Sequence, residues 1–291
     1  MHRYVPGLFA VLFWGLAPIV LKDLVARSSA GFTTSTAYSL VAFLLLPQFI
    51  RSWRVRRWDM RTLAKLFVCG VMLISAFNFL AARASPHVSG TIIAGTIALE
   101  PLMIMLTYAT LNRALPSGQQ FLGATVSIVG VALLLHEQSG NTSHPSEWWA
   151  IALIALGAAV WSVAVVLVGR LQTSMGALES SLVLIFLGAC PFVLTLEQGY
   201  ISTLAELDAR AVAELLFIAG AATIFSNFLW YRSIQLLGPT RTGTLINLIP
   251  LFSVVFAFLV LGEPLTYLKI GSLFTIIFGV YLSSRNVKDV G

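Results

Sequence analysis

Charge is what this chain has least of. Lys, Arg, Asp and Glu together fill only 10% of its 291 positions, while hydrophobic residues fill 58%; soluble domains carry roughly a quarter and roughly half. A surface so poor in charge cannot be solvated, which excludes an ordinary globular domain. Cysteine is almost absent. Cys69 and Cys190 lie in separate apolar runs, so there is no disulfide framework, no CxxC pair and no metal-ligand spacing, and neither a metal nor a cofactor is expected. The four histidines, His2, His87, His136 and His144, are scattered over ends and loops, and no HExxH, GxSxG or Walker A pattern occurs. An intramembrane enzyme would need a convergent nucleophile, base or metal set that the sequence does not offer, and a nucleotide-driven motor would need a phosphate loop. The net charge of +6 is spread between apolar runs and forms no stripe, so it does not mark a nucleic-acid partner.

What the chain has in abundance is long apolar runs. Counted in spans of about 20 residues, they fall at Val5 to Leu21, Thr33 to Ile50, Ala64 to Ala82, Val88 to Leu111, Gln119 to Leu135, Trp148 to Val168, Ser180 to Gly199, Ala211 to Tyr231, Thr240 to Leu261 and Leu265 to Ser283. This predicts an all-α integral membrane protein of ten transmembrane helices in contact with lipid. Connections such as Arg83 to His87 and Gly262 to Pro264 are too short for a soluble domain, so consecutive helices are expected to be antiparallel neighbours. Arg3 followed by the first run resembles a secretory signal, but the run is kept as a span because it has a partner in the repeat described below.

Cytoplasmic loops hold the excess of Lys and Arg. With the N-terminus inside, the inner loops take Arg3, Arg51, Arg54, Arg56, Arg57, Arg61, Lys65, Arg113, Arg170, Arg232, Arg241, Arg285 and Lys288, thirteen of the 18 basic residues. Lys22, Arg27, Arg83, Arg210 and Lys269 remain outside with Glu137, Glu147, Glu206 and Asp208. Both termini are therefore expected in the cytoplasm, and a bacterial cytoplasmic (inner) membrane is the expected location. Trp148 and Trp149 suit an interfacial anchor. Asn141-Thr142-Ser143 matches a glycosylation acceptor, meaningful only in a eukaryotic secretory setting.

Asn78-Phe79-Leu80-Ala81-Ala82-Arg83 recurs 149 residues later as Asn227-Phe228-Leu229-Trp230-Tyr231-Arg232. The same shift takes Pro101 to Pro250 and Gly130 to Gly279; a one-residue gap brings Pro116 onto Pro264 and Gly123 onto Gly271, and Trp14 matches Trp161 within two residues. The chain is thus expected to be two five-helix repeats, 1–140 and 141–291. An odd number of spans forces the second repeat to enter the membrane upside down, the inverted architecture of secondary transporters, whose substrate sits near the midplane between the repeats. Gly123, Ser127 and Gly130, recurring as Gly271, Thr275 and Gly279, give small-xxx-small faces, so helices five and ten are expected to pack closely or to form a homodimer.

In Phe13-Trp14-Gly15 with Pro18, in Pro250, in Leu261-Gly262-Glu263-Pro264 and in Gly271 to Gly279, the chain resembles the drug/metabolite transporter superfamily, in its branch of ten-helix EamA-type permeases. The first half departs from the loop pattern, reading Arg113-Ala114-Leu115-Pro116 without the acid. The resemblance implies secondary transport of small metabolites, most similar to export of aromatic or other neutral amino acids, with sugars, nucleotide sugars or drugs as the alternative substrate classes. It also implies that the first and sixth helices line a central cavity.

Candidate cavity residues are polar or aromatic positions within the runs. Glu100 is the acid well inside a span; a charge there costs about 3 kcal/mol or more, so it either meets a substrate ammonium or a proton, or ties helices together as a neutral acid. Asn78 and Asn227 offer amide donors and acceptors to a substrate or to a neighbouring helix. Trp14, Tyr38, Phe77, Tyr108 and Trp161 would receive an apolar or aromatic body, or else pack in the core. Arg83 and Arg232 either snorkel to headgroups or gate an anion. Pro18, Pro101 and Pro250 are expected to kink their helices.

Overall fold

Apolar segments in hydrocarbon must satisfy every backbone N–H and C=O internally, and a chain of this composition does so by coiling into helices. The computed structural model describes residues 2–56, 58–84, 87, 97–113, 116–138, 148–171, 177–195, 200–262 and 264–284, and no strand occurs among them. The helices are α1 (Val5–Arg27), α2 (Ala30–Arg56), α3 (Met60–Gly70), α4 (Phe77–Ala84), α5 (Glu100–Asn112), α6 (Gly118–Gln138), α7 (Trp148–Leu171), α8 (Ala177–Ala189), α9 (Tyr200–Ala205), α10 (Ala209–Leu216), α11 (Ser226–Leu237), α12 (Pro239–Thr244), α13 (Ile249–Leu261) and α14 (Tyr267–Ser284).

Among the described residues, seven helical stretches are long and apolar enough to cross a bilayer: His2–Val25, Ala30–Val55, Met60–Ala81, Gly118–His136, Trp148–Leu171, Ala209–Leu237 and Pro239–Val260. Glu179–Thr195 and Tyr267–Ser283 are apolar but shorter. Of the expected fourth span, 88–96 lie outside the described residues, and its described part is α5. The acceptor sequence at Asn141 and the acid Glu263 also lie outside them. Where helices outrun the expected spans the reason is amphipathic: α2 continues past Ile50 through Arg51 and Arg54, both exposed, whose stems run along the helix while their heads reach water.

Two stretches are wider than an α-helix. Val71–Ala76 joins α3 to α4, and Phe217–Phe225 joins α10 to α11, each as π-helix, a form that concentrates at functional sites. The prolines behave differently from expectation. Pro18 lies inside α1, but Pro101 and Pro250 occupy the first turns of α5 and α13, where a missing N–H costs nothing. The ninth span is helical throughout but changes its pitch: α12 passes through a 3-10 turn, Leu245–Leu248, into α13, whose first turn holds Pro250.

The closest helix approach joins α6 to α14. A Cβ on Gly123 would lie 2.2 Å from the Ser283 nitrogen, and one on Gly279 2.3 Å from the Ser127 nitrogen. Gly130 meets Ile276 and Ser272 further along, so the two helices run antiparallel. The expected close packing of the fifth and tenth spans is thus found within one chain. A similar crossing, absent from the sequence expectations, sets Gly70 against Gly188 and lets the Ser75 hydroxyl donate to the Gly188 carbonyl.

Candidate functional site

The two π-helical stretches and the two helix starts at Glu100 and Ile249 surround one cavity of about 300 Å³. α1 contributes Trp14, Ala17, Pro18 and Leu21; α2 contributes Tyr38; α7 contributes Trp161. The 71–84 stretch adds Leu73, Ile74, Phe77 and Asn78; the 217–237 stretch adds Ile218, Ala222, Thr223 and Asn227; and the segments at the two helix starts add Ile97, Glu100, Ile246 and Ile249. Much of this wall falls into pairs 149 positions apart: Leu73 and Ala222, Ile74 and Thr223, Asn78 and Asn227, Ile97 and Ile246, Glu100 and Ile249.

Seven of the eight candidate side chains thus meet at one place. Tyr108 does not. It stands eight residues beyond Glu100 on α5, about 12 Å along the axis at the α-helical rise, and packs half-buried against the core. The arginines stay outside as well: Arg83 and Arg232 are exposed, and the Arg232 guanidinium donates to Gln235 Oε1 at 3.2 Å.

Among the described residues, Glu100 is the one charged side chain in the cavity wall. It is 5% exposed, and among the described residues it has no hydrogen-bond or ion-pair partner. Each asparagine bonds first to its own helix, and Asn78 also reaches the Tyr38 hydroxyl of α2. Asn78 Nδ2 donates to the Ile74 carbonyl at 2.7 Å and Asn227 Nδ2 to the Thr223 carbonyl at 2.8 Å, each turning back onto its own widened turn. Trp14 Nε1 donates across to the Ala222 carbonyl at 3.0 Å, fixing α1 against the second π-helix. The Tyr38 hydroxyl faces the side chains of Asn78 and Thr223, and its ring stacks on Phe192 at 4.5 Å.

Below the cavity, toward the start of α1, the structure closes. Trp230 of α11 is fully buried and touches both Trp14 (ring centroids 5.1 Å apart) and Trp161 (6.0 Å). Gly7 lies so close that a Cβ would come within 2.5 Å of Leu245 and 2.6 Å of the Ser233 hydroxyl. At the other end, beyond Leu21, Arg27 pairs with Asp23 and Asp208 while Arg210 reaches Asp23 at 2.9 Å and Glu214 at 3.0 Å. Trp230 had been passed over in the sequence because its repeat counterpart is Ala81, and matching repeats rewards shared residues. The signal was the third tryptophan itself, in a run that otherwise repeats.

No group of three or more His, Cys, Asp or Glu capable of holding a metal occurs among the described residues. A second hollow, about 320 Å³, lies between the first π-helix and the 190–195 turn, lined by Val71, Ser75, Ala76, Phe79, Pro191, Phe192 and Thr195. It holds no ionisable side chain.

The EamA-like transporter family profile matches twice, over residues 4–136 and 148–285. An uncharacterized transporter of Archaeoglobus fulgidus is 20% identical over 285 residues, covering 98% of this chain and 99% of that protein. The uncharacterized transporter YyaM of Bacillus subtilis is 22% identical over 294 residues, covering 99% and 95%. One crystal structure shares the fold with a TM-score of 0.75 at 15% identity, over 97% of this chain and 96% of that one. Two family matches spanning nearly the whole length, on an apolar helical bundle with a buried cavity, leave one assignment: the chain belongs to the EamA-like transporter family and is an integral membrane transporter of small molecules, not an enzyme.

Proposed function

We propose that this transporter works by alternating access around the cavity at Glu100, moving a neutral amino acid, aromatic ones foremost, or a similar amphipathic metabolite out across the cytoplasmic membrane. The carrying observation is a cavity whose wall pairs up in part across a 149-residue shift and contains a buried acid, Glu100. A substrate ammonium meets the carboxylate, and an apolar or aromatic body lies against Trp14, Tyr38, Phe77 and Trp161. Phosphorylated substrates such as nucleotide sugars fit poorly, since no Lys, Arg or His among the described residues lines the wall.

Ten spans in two inverted repeats, 1–140 and 141–291, with both termini cytoplasmic, complete this reading. It draws support from the double family match, from the antiparallel α6–α14 pair and from the basic residues expected inside. On it, the Trp14–Trp230–Trp161 floor closes the cytoplasmic path, and the charge network around Arg27 lies at the outer mouth. Rocking of one repeat against the other would part the first and close the second. Energy comes from an ion or substrate gradient. A homodimer through the fifth and tenth spans would use their outward faces, where Phe121, Phe274 and Phe278 are exposed and Gly271 is open, because Gly123, Gly130 and Gly279 are occupied within the chain.

The test is efflux from proteoliposomes loaded in turn with labelled aromatic amino acids and amines, small neutral amino acids, sugars and sugar phosphates. Aromatic, ammonium-bearing compounds should leave fastest. Transport of sugars or sugar phosphates alone would sink the proposal.

A further inference from the structure

The geometry points to a cavity built to accept hydrogen bonds from a monocation and to reject a substrate carboxylate, so that within the proposed substrate range the preferred cargo is a primary amine whose acid group is absent or masked. This rests on the transport reading above. The argument runs from the polar atoms of the wall. Glu100 is 95% buried, and a buried carboxyl is charged only when paired and otherwise holds a proton; a cationic cargo would supply the pairing charge that the described wall lacks. One N–H of each amide is spent inside its own helix, Asn78 on Ile74 and Asn227 on Thr223. That leaves a second N–H and the oxygen on each amide, and the Asn78 side chain also hydrogen-bonds the Tyr38 hydroxyl. The Trp14 indole N–H is also committed, to the Ala222 carbonyl.

The wall's acceptors are thus one carboxylate and two amide oxygens, its donors are the neutral N–H and O–H groups of Asn78, Asn227, Tyr38 and Thr223, and its charge is that of the acid alone. A primary ammonium carries three N–H donors and no acceptor, the same inventory as a lysine head. A carboxylate on the cargo would enter a wall with no Lys, Arg or His among its described residues and with an acid already in it. It would lose its hydration without gaining a counter-charge. Aromatic faces around the site add attraction for a cation and none for an anion.

The test uses the full-length protein in neutral-lipid nanodiscs and four ligands that share one phenyl group: 2-phenylethylamine, phenylalaninamide, phenylalanine and 3-phenylpropanoate. Binding is read as ligand-dependent thermal stabilisation, which grows with occupancy. Phenylalaninamide and 2-phenylethylamine should bind about tenfold or more tightly than phenylalanine, the size expected of a hydrogen-bonded charge gained or lost, and 3-phenylpropanoate should not bind. Glu100→Gln should erase the difference between phenylalaninamide and phenylalanine. Glu100→Asp, which keeps the charge, should retain its direction, and the wild-type series decides alone if Glu100→Gln does not fold. Phenylalanine binding as tightly as phenylalaninamide overturns the inference while leaving the transport reading intact. If neither amine nor amino acid binds, the proposed substrate range itself falls.

Discussion

Adding one methyl group at Gly279 should loosen the protein, while adding one at Gly271, on the same helix and in the same sequence stripe, should not. Sequence spacing treats the two alike. The structure separates them: nothing lies within 4 Å of a Cβ built on Gly271, whereas one on Gly279 meets the Ser127 nitrogen at 2.3 Å, the Gly123 carbonyl at 2.7 Å and the Ser127 Cα at 2.7 Å. All three are backbone atoms, so no rotamer change relieves the overlap. α6 and α14 must retreat by about 1 Å to restore the 3.4 Å of ordinary contact. Overpacking of this kind costs about 1–3 kcal/mol, and the gain from replacing a mid-helix glycine, about 0.5–1 kcal/mol, offsets only part of it. At Gly271 that gain stands alone. Thermal unfolding of the purified protein, followed by loss of the monodisperse chromatographic peak, should place Gly279→Ala below the parent and Gly271→Ala at or above it. A net difference of about 2 kcal/mol corresponds to about 4–8 °C for a domain near this size. Equal melting of the two variants, or a larger loss at Gly271, would refute the close approach.

Trp14→Ala and Trp161→Ala should each weaken transport of aromatic cargo more than of small cargo, because each removes cavity wall; surface expression is measured alongside, since losing a packed Trp costs about 3–5 kcal/mol, and unchanged transport at normal expression would remove both from the site. Arg113→Gly should stabilise the chain by about 1 kcal/mol in the same melting assay, because Arg113 ends α5 at a φ of 51°, where a side chain is penalised, and the matching position of the second half is already Gly262. In a background carrying Cys69→Ala and Cys190→Ala, Arg56→Cys and Val290→Cys should react with an impermeant thiol reagent only from the cytoplasmic side and Thr142→Cys only from outside. Labelling of positions 56 and 142 from one face would refute the ten-span topology.

Membrane class and family were legible in the sequence because they depend on composition and on motifs laid out along the whole chain: charge is scarce everywhere, and the Asn78 and Asn227 segments announce themselves by repetition. What resisted reading were properties set between helices. Tyr108 looked like a cavity residue because it is aromatic and lies within a span, but helical rise carries it two turns from Glu100. Pro101 and Pro250 were expected to bend continuous helices, yet proline fits a first turn as well as it kinks an interior, and sequence alone does not choose between those. Gly70 and Gly188 are 118 positions apart, and nothing local in either apolar run marks the crossing. Trp230 was hidden by the repeat, which draws the eye to what the halves share.

What the halves do not share is where the chemistry lies. Five wall pairs follow the 149-residue shift, and three of them keep their character: Leu73 with Ala222 and Ile97 with Ile246 are apolar on both sides, and Asn78 with Asn227 is amide on both; Ile74 with Thr223 exchanges an aliphatic chain for one with a hydroxyl. Glu100 faces Ile249 instead. Electrostatics supplies a reason for that break in symmetry. A second carboxylate at position 249 would line the same cavity as the first, adding like-charge repulsion on top of its own desolvation. One monocation could not neutralise both. A duplicated scaffold can therefore place the cavity by symmetry but must place its acid on one half only, and the second half answers with a side chain that needs no partner. The same logic extends to the floor, where Trp230 fills a space that its counterpart Ala81 leaves small: on the inverted-repeat reading the two ends of the pathway are closed by different chemistry, packed indole rings at one and exposed ion pairs around Arg27 at the other. Opening the first exposes buried aromatic surface, while opening the second breaks contacts worth little each in water.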